Sequence, residues 1–235
     1  MQLFYSADIQ TNDTSFVFDK IESRHIVRVL RKKTGDLLQI TNGKGFLFEA
    51  EISIANDKNC VVKIVKQKEI KNPWSHKLHI AIAPTKNNDR FEWFLEKATE
   101  IGIDEITPII CDHSERKIVK MERLEKVLVS AMKQSLKFRL PQLNEPRKLK
   151  EFLKDANADL KCIAHCEPTD KKSLKNVLNK KESILLLIGP EGDFSTDEIN
   201  LAKKTNFIPI TLGESRLRTE TAGIVATQSV AFFNE

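Results

Sequence analysis

At about 150 residues per domain, a chain of 235 residues makes one or two domains. With 40% hydrophobic and 30% charged residues it has the material for a packed core, and its longest aliphatic run, Ile184–Ile188, falls well short of the roughly 20 residues a membrane helix needs. The net charge of +5 is uneven: residues 20–33 carry six basic side chains against one acid, and residues 111–150 carry eleven against five. Two basic patches of this kind suit a protein that meets a polyanion. Met1–Tyr5 lead straight to Asp8 with no basic flank or long apolar stretch, so we expect no signal peptide and a cytoplasmic setting. The four cysteines, Cys60, Cys111, Cys162 and Cys166, should then stay reduced. Cys162, His165 and Cys166 lie close together, but Cys-x-x-Cys is absent and a strand over Leu160–His165 would scatter them over two faces, so no metal is expected.

The first seventy residues read as short alternating runs at 2–5, 15–18, 36–41, 45–54 and 60–66. Asn42-Gly43-Lys44-Gly45 and Asn56-Asp57-Lys58-Asn59 punctuate them, which predicts strands and tight turns with the last three in a meander. One helix interrupts them. Asp19 caps it, Ile21, Ile26, Val29 and Leu30 supply the apolar face, and Gly35 ends it, with Arg24, Arg28 and Arg31 on the other side. This predicts a small β-barrel-like module carrying a basic helix over residues 1–72. Asn72-Pro73 breaks the pattern.

Beyond it, strands and helices alternate. Strands are predicted at Leu78–Ala83, Ile106–Ile110, Leu160–Ala164, Ile184–Ile188 and Phe207–Leu212. Helices are predicted near 89–101, 121–136, 149–153 and 174–178, from Ser195, and over 220–233. Alternation of this sort predicts an α/β domain with a mainly parallel sheet over 73–235.

Ligands of such sheets collect beyond the carboxyl ends of the strands. Two ends stand out. Ile188-Gly189-Pro190-Glu191-Gly192 follows the most hydrophobic strand, and two glycines let its backbone turn sharply beside a ligand. Ser195 and Glu198 then form a capping box. The second end, Leu212-Gly213-Glu214-Ser215-Arg216-Leu217-Arg218-Thr219-Glu220, opens a helix that is apolar almost all round and must be buried in the core or against another subunit. Its two arginines either face a ligand or pair with Glu214 and Glu220. Dinucleotide, P-loop and nucleophile-elbow fingerprints are missing, which directs any ligand to the C-terminal loops.

The Gly-Pro-Glu-Gly loop followed by Leu-Gly and Leu-Arg-Thr-Glu-Thr-Ala resembles the SPOUT superfamily of trefoil-knotted methyltransferases. Within it the chain is similar to the 16S rRNA (uracil-N3) methyltransferase family known as RsmE. His25-Ile26-Val27-Arg28-Val29-Leu30-Arg31 resembles that family's PUA-like RNA-binding domain. Lys86, Asp89-Arg90-Phe91-Glu92, Lys97–Gly102 and Gln134-Ser135 match as well.

The resemblance implies a SPOUT-like knotted parallel-sheet domain after a PUA-like barrel. It also implies a homodimer acting on 16S rRNA of the small ribosomal subunit, with no membrane or metal. S-adenosyl-L-methionine (SAM) would be held by Ile188, Gly189, Pro190, Glu191, Gly192, Leu212, Gly213, Leu217, Thr219 and Ala222. Arg218 would stabilise the deprotonated uracil. Glu220 is either its base or a helix N-terminal carboxylate. RNA contacts would come from Arg24, Arg28, Arg31, Lys86, Arg90 and Arg116.

The chain departs from the family pattern in three places. Asp193 stands where the family usually has glycine, Glu214-Ser215-Arg216 replaces Pro-Arg-Ile, and Lys133 replaces Glu. A non-catalytic RNA-binding or ribosome-assembly module is the alternative, and retention of both C-terminal loops argues against it.

Overall fold

The computed structural model describes residues 2–180 and 182–235. The chain forms two compact units, and each has its own sheet and core. The first unit comprises Met1–Pro73 together with Met132–Leu140, a short run from the downstream half of the sequence.

Five strands build the first unit: β1 (Leu3–Tyr5), β2 (Ser15–Val17), β3 (Leu37–Thr41), β4 (Phe46–Ile54) and β5 (Val61–Glu69), in the order β1-β3-β4-β5-β2. The predicted meander is present, since β3, β4 and β5 pair antiparallel, and two bulges bend β4 against β5. β1 joins β3 in parallel. Phe4, Ile26, Ile40, Phe48 and Ile52 are among the side chains filling the core.

The predicted helix differs in an instructive way. Asp19 caps it as expected, its carboxylate accepting from Glu22 N at 2.8 Å. The α-helix α1 covers only Lys20–Arg24, and His25–Val29 continue as a π-helical turn closed by Leu30 N donating to His25 O. That turn takes up an extra residue, so a face drawn with helical period 3.6 drifts. Ile26 is fully buried, whereas Ile21 (81% exposed) and Val29 (66%) lie at the surface, so the expected apolar face is corrected to Ile26 with Leu30 half-buried. Arg31, at a φ of 55°, ends the segment before Gly35. Lys133, also in this unit, places Nζ 2.7 Å from Glu22 Oε1 and 5.9 Å from the centre of the Phe4 ring.

The second unit, Trp74–Ala131 with Pro141–Glu235, is the α/β unit. Its elements are β6 (Lys77–Ile82), α2 (Asn88–Ile101), β7 (Glu105–Ile110), α3 (Met121–Gln134), β8 (Gln142–Leu143) and β9 (Arg147–Lys148). They continue with α4 (Leu149–Asp155), β10 (Leu160–Ala164), β11 (Lys172–Ser173), a 3-10 turn Leu174–Asn176, β12 (Ser183–Ile188), α5 (Thr196–Lys204), β13 (Ile208–Thr211) and α6 (Thr219–Asn234). The last residues of α3 belong to the first unit. The strands run in parallel in the order β11-β13-β10-β12-β6-β7-β8, with β9 also on β7. The two-residue strands β8, β9 and β11 carry no sequence period and were not expected, and the helix predicted at 174–178 is only the 3-10 turn.

Both faces of the sheet are covered, which explains the near-continuous apolar strand Ile184–Ile188. Ala81, Ala83, Leu185 and Leu187 pack with Phe152 of α4 and Ile199 of α5. On the opposite face lie α2 and α6. A side chain at Gly223 of α6 would come within 2.6 Å of the Phe94 ring of α2 and 3.0 Å of Ile82, so the bare backbone sets the distance between these elements. The final helix is thus buried on one face, while Phe232 on its other side is 73% exposed.

A polar network crosses the sheet below this core. Asn144 Nδ2 donates to Thr107 Oγ1 (2.7 Å) and Glu105 Oε1 (2.9 Å), and His79 Nε2 lies 2.7 Å from the same threonine hydroxyl. Burial pushes His79 down to about 4 from 6.5, against the opposing pull of Glu105. The unfolded chain therefore binds a proton over this interval that the folded one refuses, so stability is full above 6.5 and falls as pH drops towards 4. The melting temperature should fall across this window, and His79→Gln should flatten that part of the profile in a thermal-melting series.

Candidate active site

Because β10 lies between β12 and β13, the carboxyl ends of three adjacent strands open on one side of the second unit. A cleft of about 720 Å³ lies there, lined by residues from all three following loops and by the start of α6. The loop after β12 contributes Ile188, Gly189, Pro190, Glu191 and Asp193. The loop after β13 contributes Leu212, Gly213, Glu214, Ser215, Arg216, Leu217 and Arg218, and α6 adds Thr219 and Ala222. The loop after β10 adds His165, Cys166 and Lys171. Of the residues expected to hold cofactor, Gly192 is outside the lining, and so is Glu220 of the two expected to act in catalysis.

Local chemistry fixes each loop. The residues after Gly192 are held by the predicted capping box: Ser195 Oγ accepts from Glu198 N at 3.3 Å, and Ser195 N donates to Glu198 Oε2 at 2.9 Å. Glu191 Oε1 accepts from Lys86 N at 2.9 Å, which joins this loop to the one after β6. Gly213 has a φ of 136° with open space where a side chain would project, a backbone that glycine adopts readily. Thr211 Oγ1 spans it, donating to Gly213 O at 2.7 Å and accepting from Gly213 N at 3.2 Å. The buried Thr219 hydroxyl donates to Gly189 O at 3.0 Å, tying the first turn of α6 to the glycine loop.

The two arginines do not pair with the neighbouring acids. Neither Arg216 nor Arg218 makes an ion pair with another described residue, and both are exposed. Glu220 is 6% exposed; its Oε1 lies 3.8 Å from Arg90 Nε, and its Oε2 has no partner among the described residues. Arg116 spends Nε and Nη2 on the backbone: Nη2 donates to Lys86 O at 2.6 Å, and Nε to Thr85 O at 3.1 Å. Lys86 Nζ pairs with Glu115 at 2.8 Å on the surface. In the first unit Arg24 and Arg31 are exposed, and Arg28 Nε donates to Asp57 Oδ2 at 2.7 Å.

Sequence reasoning missed the loop after β10. Its Cys and His residues raised only the question of a metal, and among the described residues no three His, Cys, Asp or Glu side chains group for one. Burial drives the Cys162 thiol up to about 12 and leaves it unreactive. Burial, with Lys171 adding to it, pushes His165 down and keeps its ring neutral. The signal for this loop was the pairing of β10 between β12 and β13, which no local pattern reveals.

A parallel α/β unit with its cleft at three strand ends, preceded by a small β module, defines a class: the RNA methyltransferase domain model matches residues 71–231, and an RNA methyltransferase PUA domain model matches residues 18–65. The chain is 32% identical over 234 residues to a ribosomal RNA small subunit methyltransferase E from Buchnera aphidicola subsp. Acyrthosiphon pisum, covering 96% of this chain and 90% of that protein. A crystal structure described as a probable rRNA-methyltransferase from Porphyromonas gingivalis superposes with a TM-score of 0.94 at 42% identity, covering 100% of this chain and 98% of that one. A ribosomal RNA small subunit methyltransferase E from Neisseria gonorrhoeae, bound to S-adenosyl methionine, superposes with a TM-score of 0.84 at 26% identity, covering 99% and 97%. The chain belongs to the ribosomal RNA small subunit methyltransferase E family.

The Thr219–Gly189 bond gives a direct test of how the cleft is held. Thr219→Val keeps the shape but leaves the Gly189 carbonyl without its hydroxyl donor. Denaturant unfolding should show a loss of about 1–3 kcal/mol.

Proposed function

We propose that this protein is a SAM-dependent methyltransferase that modifies N3 of a uridine in 16S rRNA of the small ribosomal subunit, acting in the cytoplasm as a homodimer. The observation that carries this reading is the cleft at three adjacent strand ends in a chain of this family. A volume of about 720 Å³ suits a cofactor-sized ligand. The residues fit SAM in particular. The Gly213 backbone is open to close approach, and the lining offers the acidic residues Glu191, Asp193 and Glu214 to a sulfonium cation, beside the basic Lys171, Arg216 and Arg218. Ile188, Gly189, Pro190, Glu191, Leu212, Gly213, Leu217, Thr219 and Ala222 would hold it, while Gly192, outside the lining, serves the turn of the loop. When bound, SAM supplies a methyl group already activated by the sulfonium.

The protein's own task concerns the uracil. N3 carries a proton and is a poor nucleophile until that proton leaves, so a fixed cation near O2 or O4 favours the anion. Arg218 lines the cleft, is exposed and has no ion-pair partner among the described residues, so its planar guanidinium remains available to substrate. Glu220 suits the role of a helix N-terminal carboxylate that holds Arg90 better than that of a base, because it lies outside the cleft lining. Arg116 likewise suits an anchor of the loop at Thr85 and Lys86, while Lys86 and Arg90 stay candidates for RNA contact. The target base must be unpaired or flipped, since N3 is the central Watson–Crick position.

Residues 1–72 are read as the RNA-binding module and 73–235 as the methyltransferase domain. The latter is read as closing a trefoil knot, because β13 lies outside β10 while α6 returns to β6 and β12. Trp93 of α2 and Phe232 of α6 are exposed apolar side chains on packed neighbours, which supports a subunit contact there.

Two experiments test this reading. Small subunits or naked rRNA incubated with the protein and SAM should acquire a primer-extension stop at one uridine, and Arg218→Ala should slow single-turnover methylation by roughly 10²–10³. SAM affinity should stay near wild type, and higher pH should narrow the deficit as more uracil ionises unaided. In RNA titrations over a salt series, neutralising Arg24 or Arg31 should each lower the slope by about one unit. Arg28, already paired with Asp57, should change it less.

A further inference from the structure

We propose that Asp193 is a positioning residue of the cleft, its carboxylate fastening the loop after β10 to the loop after β12 and so fixing the wall against which SAM lies. The proposal rests on reading this cleft as the SAM site.

Asp193 sits at a φ of 63°, in the left-handed region that L-residues avoid. A side chain retained there needs an offsetting interaction, and Asp193 has two. Its Oδ2 accepts from Cys166 N at 2.7 Å, and its Oδ1 accepts from Phe194 N at 2.9 Å. Both bonds are charge-assisted and short. Asp193 and Cys166 both line the cleft, so the first bond crosses from one ligand-facing loop to the other.

The surrounding contacts make this bond a lever on the whole wall. Asp193's own backbone is held from a third element, since His113 Nδ1 lies 3.1 Å from the carbonyls of both Gly192 and Asp193. On the other side, Lys171 Nζ donates to His165 O and Glu167 O at 3.0 and 2.9 Å, closing the loop after β10 on itself. The Cys166 amide is the next donor after the buried His165, whose ring nitrogens have no partner among the described residues. Thr196 Oγ1 also meets Glu167 Oε1 at 2.6 Å, but at exposed positions, and Glu167 is not part of the cleft lining. The Asp193 carboxylate is thus the tie made at the cleft itself.

Substitutions separate this role from a purely structural one. Asp193→Gly relieves the backbone while deleting the tie, so strain relief offsets part of the lost hydrogen bonding and the global fold should be retained. Hydrogen exchange at the Cys166 amide, measured on the full-length protein without ligand, should quicken about tenfold or more, and the calorimetric Kd for SAM should rise by about the same factor. Asp193→Asn should restore most of both, because asparagine tolerates the left-handed region and keeps an acceptor oxygen. Wild-type exchange at Cys166 in Asp193→Gly, an unchanged SAM Kd, or no recovery in Asp193→Asn would each overturn the proposal. If the wild-type protein binds no SAM, the reading of the cleft fails and this proposal falls with it. That failure is distinguishable, because the amide exchange is read without ligand.

Discussion

The architecture of the cleft depends on how closely α6 lies on the sheet. Gly223 has no side chain, so the helix backbone approaches Phe94 and Ile82 at a distance any other residue would block. That approach puts Thr219 where its hydroxyl reaches the Gly189 carbonyl, and it brings Ala222 into the cleft wall. A wider helix would leave the glycine loop without its buried donor and open one side of the cavity. Packing of an apolar helix and the shape of a polar site are here the same event.

Charge is distributed around the cleft in a way that separates two tasks. Carboxylates at Glu191, Asp193 and Glu214 line it together with Arg216, Arg218 and Lys171. Half of these are spent on backbone, Glu191 on Lys86 N, Asp193 on Cys166 N and Lys171 on His165 O and Glu167 O, and Arg116 nearby is spent on Thr85 O and Lys86 O. Loops held by such bonds keep their shape at little entropic cost when a ligand arrives. Among the described residues Glu214 and the two exposed arginines make no such bond, and an unspent cation at the mouth of a cleft is what an anionic substrate requires.

The first unit solves a different problem, presenting basic residues from a short segment. Its π-helical turn buries Ile26 and leaves Arg24 and Arg28 outward. Lys133 is matched by Glu22 at 2.7 Å, so this half-buried cation has a partner close at hand rather than facing solvent alone.

Much of this was legible in the sequence, for identifiable reasons. The strand Ile184–Ile188, the Ser195–Glu198 capping box and the Asp19 cap are written in local patterns whose physics needs no tertiary partner, and they stand in the structure as expected. The two C-terminal loops were legible because glycine, proline and clustered arginine between a strand and a helix are rare without a ligand or a tight turn. Other features were not, the two-residue strands β8, β9 and β11 among them. The loop after β10 reaches the cleft only because β10 pairs between β12 and β13, a long-range choice that its own residues do not encode. Exposure of Ile21 and Val29 follows from one π-helical turn, which shifts a periodic face without changing composition. The pairing of Glu220 with Arg90 likewise required α2 and α6 to meet. Sequence alone determined the longer strands and helices and the chemistry available at the two C-terminal loops, because periodicity, caps and turns are properties of neighbouring residues. Tertiary structure decided which loops share a cavity and which charges are already paired, because those depend on strand order and helix packing between residues far apart in the chain.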